Sequence, residues 1–231
     1  MESSRYFNFP IQMMQGVLEG WKDKDEFLRD LLYYHIQSHA EKLEDLNEYE
    51  ETSEQLFRRS AEYWNVTMEG SISSRLQRAV SLIEDFGGAR VFVGISTDVF
   101  WNFYNENKTD FEWECLAAFL ALKSILGNKT FCKSNNALLY ARMSGYESAD
   151  VNSITLSRFH RDKIIQELED NWNLKYYSRY TKGFYFGFDI GINDLVFEAE
   201  KRRKSTKEKL RNDEKKKALA EALKRLGSTA P

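Results

Sequence analysis

Four side chains that seek anions, Arg158, His160, Arg161 and Lys163, fall close together at the start of an apolar-periodic stretch, and three acids, Glu167, Glu169 and Asp170, close it. A helix macrodipole favours the reverse order, acids first and bases last, by about 0.3 to 1 kcal/mol per charge. A helix that forgoes this at both ends is expected to serve a ligand, because local rules are broken most often at functional sites. An anion reaching its first turn would meet amide groups and basic side chains together, which suits a phosphate backbone and a groove edge. The alternative is a solvated face with ordinary surface charges.

Two further basic groups follow. In Leu174 to Tyr180, the residues Lys175, Tyr177 and Arg179 share one face by the period of a strand, and Lys182 lies in the turn after it. Each cation is placed to neutralise a phosphate, and Tyr177 or Tyr185 to donate a hydrogen bond or stack. Beyond Glu198, the run Lys201-Arg202-Arg203-Lys204 opens a proline-free stretch of Lys, Arg, Glu and Ala, expected to be helical or disordered. It suits phosphate contact without sequence preference, or else a solubilising tail. Leu219, Ala222, Leu223 and Leu226 form a small apolar stripe suited to a partner helix.

Other chemistry finds little footing. His35 and His39 are one helical turn apart, as in a zinc pair, but Ile36 stands where a metalloprotease motif needs Glu, and no third ligand is evident. Gly87-Gly88 and the Gly187 to Gly191 segment lack the spacing of nucleotide-binding glycine motifs. Cys115 lies in a strongly apolar stretch, where a core role outweighs that of a nucleophile. The reading is therefore non-enzymatic, with no metal and no cofactor.

The elements that must position the basic residues are mostly helices. Only two prolines and 12 glycines punctuate 231 residues, and aromatic residues make up 14%, so a folded, helix-rich chain is expected. Tyr6 to Pro10 reads as an edge strand leading into a helix from Ile11, with helices at Lys24 to Leu46, around Glu54 to Trp64 and at Ser71 to Phe86. Val91 to Ile95 is a short strand that needs Tyr6 to Pro10 as its partner. Thr97-Asp98 caps a further helix. Thr109 and Glu112 stand at capping-box spacing before a helix ending at Gly127, and Ser134-Asn135 cap another ending near Gly145. Ser157 to Trp172 carries the first basic group, and a hairpin of Leu174 to Tyr180 and Phe184 to Ile190 follows, with one face core and the other basic.

The fold class is thus mainly α with small β: a helical N-terminal domain over 1–108 with two short strands, a unit over 109–192, and a basic tail over 193–231. Net charge divides with it, at −9 up to Asp110, 0 from Phe111 to Phe197 and +6 from Glu198 onward. Such a chain can carry a basic functional end and an acidic end for a protein partner or self-association. Two unpaired cysteines and the lack of a signal-like or membrane-spanning apolar run favour a cytoplasmic setting without membrane contact.

The pair of helices ending Arg142-Met143-Ser144-Gly145, the helix Arg158 to Trp172 and the hairpin ending Gly183-Phe184-Tyr185-Phe186 together resemble the winged-helix domains of plasmid and phage replication initiators and related regulatory proteins. The link Tyr146 to Leu156 is longer than the turn of a tight helix-turn-helix. The resemblance implies double-stranded DNA as partner and a role in replication or transcription regulation of a mobile element or phage. Arg158, Arg161, Lys175, Arg179 and Lys182 should then converge on one positive surface. In the alternative, a protein interaction or assembly module of the same shape, acidic side chains should interrupt that surface.

Overall fold

The computed structural model describes residues 5–45, 51–67, 71–149, 153–179 and 183–227, with side chains as far as Glu221. It is mainly helical with two small antiparallel sheets among the described residues. In the first half, β1 (Tyr6–Pro10) pairs antiparallel with β2 (Phe92–Ser96), with Phe7 opposite Ile95 and Phe9 opposite Val93. These four side chains are buried on one face of the ribbon, as the period of two requires. Between the strands run α1 (Lys24–Asp45), α2 (Ser53–Tyr63) and α3 (Ile72–Phe86), and α4 (Thr97–Asn105) follows β2 directly.

The helix expected from Ile11 is only a 3₁₀ turn, Ile11–Met14, because Gly16 and Gly20 take positive φ values of 83° and 78° and turn the chain away. α1 and α3 are locked by the buried Asp30 carboxylate, which accepts from Arg78 Nε at 2.9 Å and Arg78 NH2 at 2.7 Å, with Lys22 Nζ 3.3 Å away. A carboxylate this deep persists because it is paired and hydrogen-bonded.

In the second half, α5 (Asp110–Leu126) begins at the full capping box: Glu112 N donates to Thr109 Oγ1 at 3.3 Å, and Thr109 N to Glu112 Oε2 at 2.8 Å. Gly127 ends the helix with a positive φ of 55°. α6 (Asn136–Met143) is capped by Asn135 and α7 (Arg158–Asn171) by Ser157, whose hydroxyl accepts from His160 N at 3.2 Å. Ser134, read with Asn135 as a helix cap, instead ends a strand that the sequence does not announce, β3 (Cys132–Ser134). With β4 (Lys175–Tyr177) and β5 (Phe184–Gly187) it makes a sheet of order β3-β5-β4, antiparallel throughout. Gly183 has a φ of 107°, and a Cβ there would run into the Ser134 carbonyl, so only glycine lets β5 enter this close to β3.

The chain then runs as one helix, α8 (Ile192–Gly227), so of the two alternatives for the tail the helix is observed over this range. Its first turns are not a free tail. Leu195 and Ala199 are fully buried against Tyr185, with Phe131, Tyr177 and Ile190 around them. The three-stranded sheet is thus covered on both faces: Phe184 and Phe186 face the main core, and Tyr185 faces α8. Main-core side chains from both sides of residues 108 and 109 form one cluster, in which Trp113 packs against Phe27 and Phe103 at ring centroid distances of 6.2 and 5.2 Å. No described helix is long and apolar enough to cross a membrane.

Candidate nucleic-acid interface

The amphipathic spacing of α7 buries Ile164, Ile165 and Leu168, and its basic first turns meet one acid on α5 and one of their own. His160 Nε2 lies 2.5 Å from Glu114 Oε2 on α5. Arg161 donates to Asp162, which also lies 3.7 Å from Arg158 Nε. Lys163 Nζ sits 4.8 Å from the ring centroid of Phe159, itself 72% exposed. The inverted charge order of this helix therefore has an internal explanation: Glu114 and Asp162 offset the bases that the macrodipole disfavours. Arg158, Phe159 and Lys163 remain presented to solvent, with Asp162 among them.

The hairpin residues look elsewhere. Tyr177 donates its hydroxyl to Glu200 Oε1 on α8 at 2.6 Å, and Arg179 NH1 lies 3.6 Å from the same oxygen. The Tyr177 bond, with Arg203 and Arg179 nearby, holds the Glu200 carboxyl below its ordinary range. Lys175 lies near Glu169, partly offsetting the burial that raises that carboxyl's pKa. Lys182 lies outside the described residues. Arg161 approaches Tyr176 on the core side of the sheet, whereas Tyr177 and Arg179 face α8 on the other side. On the expected basic face of the hairpin, Tyr177 is packed against α8 and Arg179 lies beside Glu200, so Arg161 and Arg179 stand on opposite sides of the sheet.

A different basic surface emerges where α8, packed over β4 and β5, comes beside the edge strand β3. Lys133 is the outward residue of β3, opposite Tyr185 in register and so on the α8 side of the sheet. A groove of about 370 Å³ runs between them, lined by Lys133, Tyr185, Glu200, Arg203, Lys204 and Lys207 among others. Arg202 of α8 stacks its guanidinium 4.5 Å from the ring centroid of Phe131, just before β3, while Lys133 Nζ lies 5.9 Å from the ring centroid of Tyr185 on β5 and Arg203 NH1 donates to Glu200 Oε1 within α8 at 3.0 Å. Glu200 is the single carboxylate among the described residues of the groove, and Tyr177 and Arg203 already engage it. Lys201, by contrast, turns to Glu198 at 3.6 Å.

From Lys201 to Glu221, α8 is exposed on all sides apart from half-buried Arg203. Of the residues read from sequence, Arg202, Arg203 and Lys204 stand at the groove or beside it. Lys133 and Lys207 were missed: Lys133 acquires its direction only from the register of an unrecognised strand, and Lys207 only from lying one turn beyond Arg203.

The other singled-out residues are structural. Burial pushes the Cys115 thiol up to about 12 and the Cys132 thiol up to about 11, so neither is a ready thiolate. His35 Nδ1 accepts from Asn8 N at 3.2 Å, and His39 Nδ1 lies 2.9 Å from Ser60 Oγ. No protein-family model matches the chain, and no curated protein or solved structure matches it either.

Proposed function

We propose that this chain binds double-stranded DNA, without enzymatic chemistry, through phosphate contacts centred on the β3–α8 groove. The observation that carries the reading is that groove: Lys133, Arg203, Lys204 and Lys207 converge from two elements, with one already engaged carboxylate. A phosphate backbone is the regular anion such a row of cations fits, and contacts of this kind supply affinity without base preference. α8 continues beyond the groove for much of its roughly 54 Å length, at 1.5 Å per residue, with Lys209, Arg211 and Lys215 to Lys217 exposed along it.

The element order supports a winged-helix unit within 109–192: helix, strand, helix, helix, strand, strand, with the first strand beside the last. In such a unit α7 is the groove-reading helix, and its exposed Arg158, Phe159 and Lys163 are available for that role. A replication or regulatory role in a mobile element or phage follows from the resemblance alone. One observation favours the second reading, a protein interaction module: Asp162 stands between Arg158 and Arg161, and an acid there repels phosphate.

The two surfaces separate by mutation. In fluorescence-anisotropy titrations with a short duplex at low salt, Lys133→Ala/Arg203→Ala/Lys204→Ala/Lys207→Ala is expected to lose about a hundredfold in affinity, at roughly half to one kcal/mol per contact. Arg158→Ala/Lys163→Ala should lose less than about tenfold. A larger loss in the α7 variant would move the site to α7, and no duplex binding by the native chain would leave the interaction module standing.

A further inference from the structure

The N-terminal half is acidic overall, yet α1 and α3 bring two guanidiniums, Arg29 and Arg75, to one cavity of about 430 Å³. α1 also contributes Tyr33, α4 contributes Trp101 and Tyr104, and the chain after α2 contributes Thr67. No carboxylate is among the described residues that line it. Its volume falls within the range of roughly 300 to 1,000 Å³ in which small-molecule sites are found.

The rings are held before any ligand arrives. Trp101 packs edge-on against Phe100 at 5.0 Å and Tyr104 at 5.3 Å between ring centroids, and reaches Phe7 at 6.4 Å. Side chains fixed in this way lose little further freedom on binding. Arg29 is exposed and forms no ion pair among the described residues.

Guanidinium groups recognise phosphate through paired charge-assisted bonds, and aromatic faces take a planar ring by stacking. We infer that this cavity binds a nucleoside monophosphate, its base against Trp101 and Tyr104 and its phosphate toward Arg29 and Arg75. The site is separate from the β3–α8 groove and does not depend on it.

Titration of the full-length protein with AMP, adenosine and inorganic phosphate, followed by tryptophan fluorescence, tests the assignment. AMP should quench saturably, and adenosine and phosphate should each bind at least about tenfold more weakly, as expected for losing a charge-assisted or stacked half of the ligand. Arg29→Gln, at an exposed position, should weaken AMP about tenfold while leaving adenosine unchanged. Tyr104→Leu should weaken AMP and adenosine alike, and Trp101→Phe should abolish the quench. Circular dichroism melting of each variant checks that it folds. No saturable response to millimolar AMP overturns the inference, as does a response unchanged by both Arg29→Gln and Trp101→Phe.

Discussion

Phe7→Ala should destabilise the protein by about 3 to 5 kcal/mol, read as a fall in the urea unfolding midpoint at unchanged slope. Phe7 is fully buried, and its ring meets four others: His35 at 5.0 Å, Trp64 at 5.3 Å, Phe100 at 4.8 Å and Trp101 at 6.4 Å between centroids. Truncation removes the transfer energy of a large side chain and leaves a hole that four aromatic rings, held by α1, the end of α2 and α4, cannot jointly close. Since domains are stable by only about 5 to 15 kcal/mol, this one change should consume much of the margin. Phe7→Leu keeps most of the volume and should cost less than half as much. A loss under about 1 kcal/mol for the alanine variant would mean that β1 is not the centre of this core.

Acidification should destabilise the fold before the carboxylates titrate, because burial lowers the His35 pKa from 6.5 to about 4. The neutral ring accepts the Asn8 amide proton at Nδ1, while its Nε2 is buried without a hydrogen-bond partner among the described residues. Protonation would place a charge in the aromatic cluster and turn Nδ1 from acceptor to donor against that amide. The unfolded chain takes up a proton near pH 6.5 and the folded chain only near 4. Stability from this group is therefore present above 6.5, falls through the window between, and is gone below it. Between pH about 7 and about 5 the expected loss is about 2 kcal/mol. His39, lowered by burial and then by Lys42, acts in the same direction. Urea midpoints of native protein and His35→Gln at both pH values check this: the native protein should weaken more on acidification. Equal pH dependence in the two would assign the effect elsewhere.

The local grammar of the chain was legible. Thr109 and Glu112 announced α5, Asn135 the cap of α6 and Ser157 the start of α7, and the isolated strands read at Tyr6 to Pro10 and Val91 to Ile95 did find each other, the second as Phe92–Ser96. What escaped depends on partners far away in sequence. β3 spans Cys132–Ser134, too short for any period to show, and is a strand only because β5 supplies its hydrogen bonds. Leu195 and Ala199 make a stripe of a single turn, which gave no sign that α8 would cover the sheet.

The candidate site suffered most from this, because charge in sequence carries a sign and no direction. Arg161 and Arg179 looked equivalent, yet Asp162 claims one and the other lies against Glu200, on opposite faces of the sheet. The tail cations, read as sequence-blind phosphate contacts, acquired a specific partner in Lys133 only through β3.

The salt dependence of duplex binding tests the central claim most directly. For the native protein, log K should fall with log salt at about −0.9 per phosphate contact, giving a slope of about −3 to −4 for the four groove cations. Lys133→Ala/Arg203→Ala/Lys204→Ala/Lys207→Ala should flatten that slope by about 3 to 4 units, leaving only what the exposed cations farther along α8 and on α7 add. A native slope near zero, or a slope that the fourfold variant leaves unchanged, would contradict DNA binding through the β3–α8 groove.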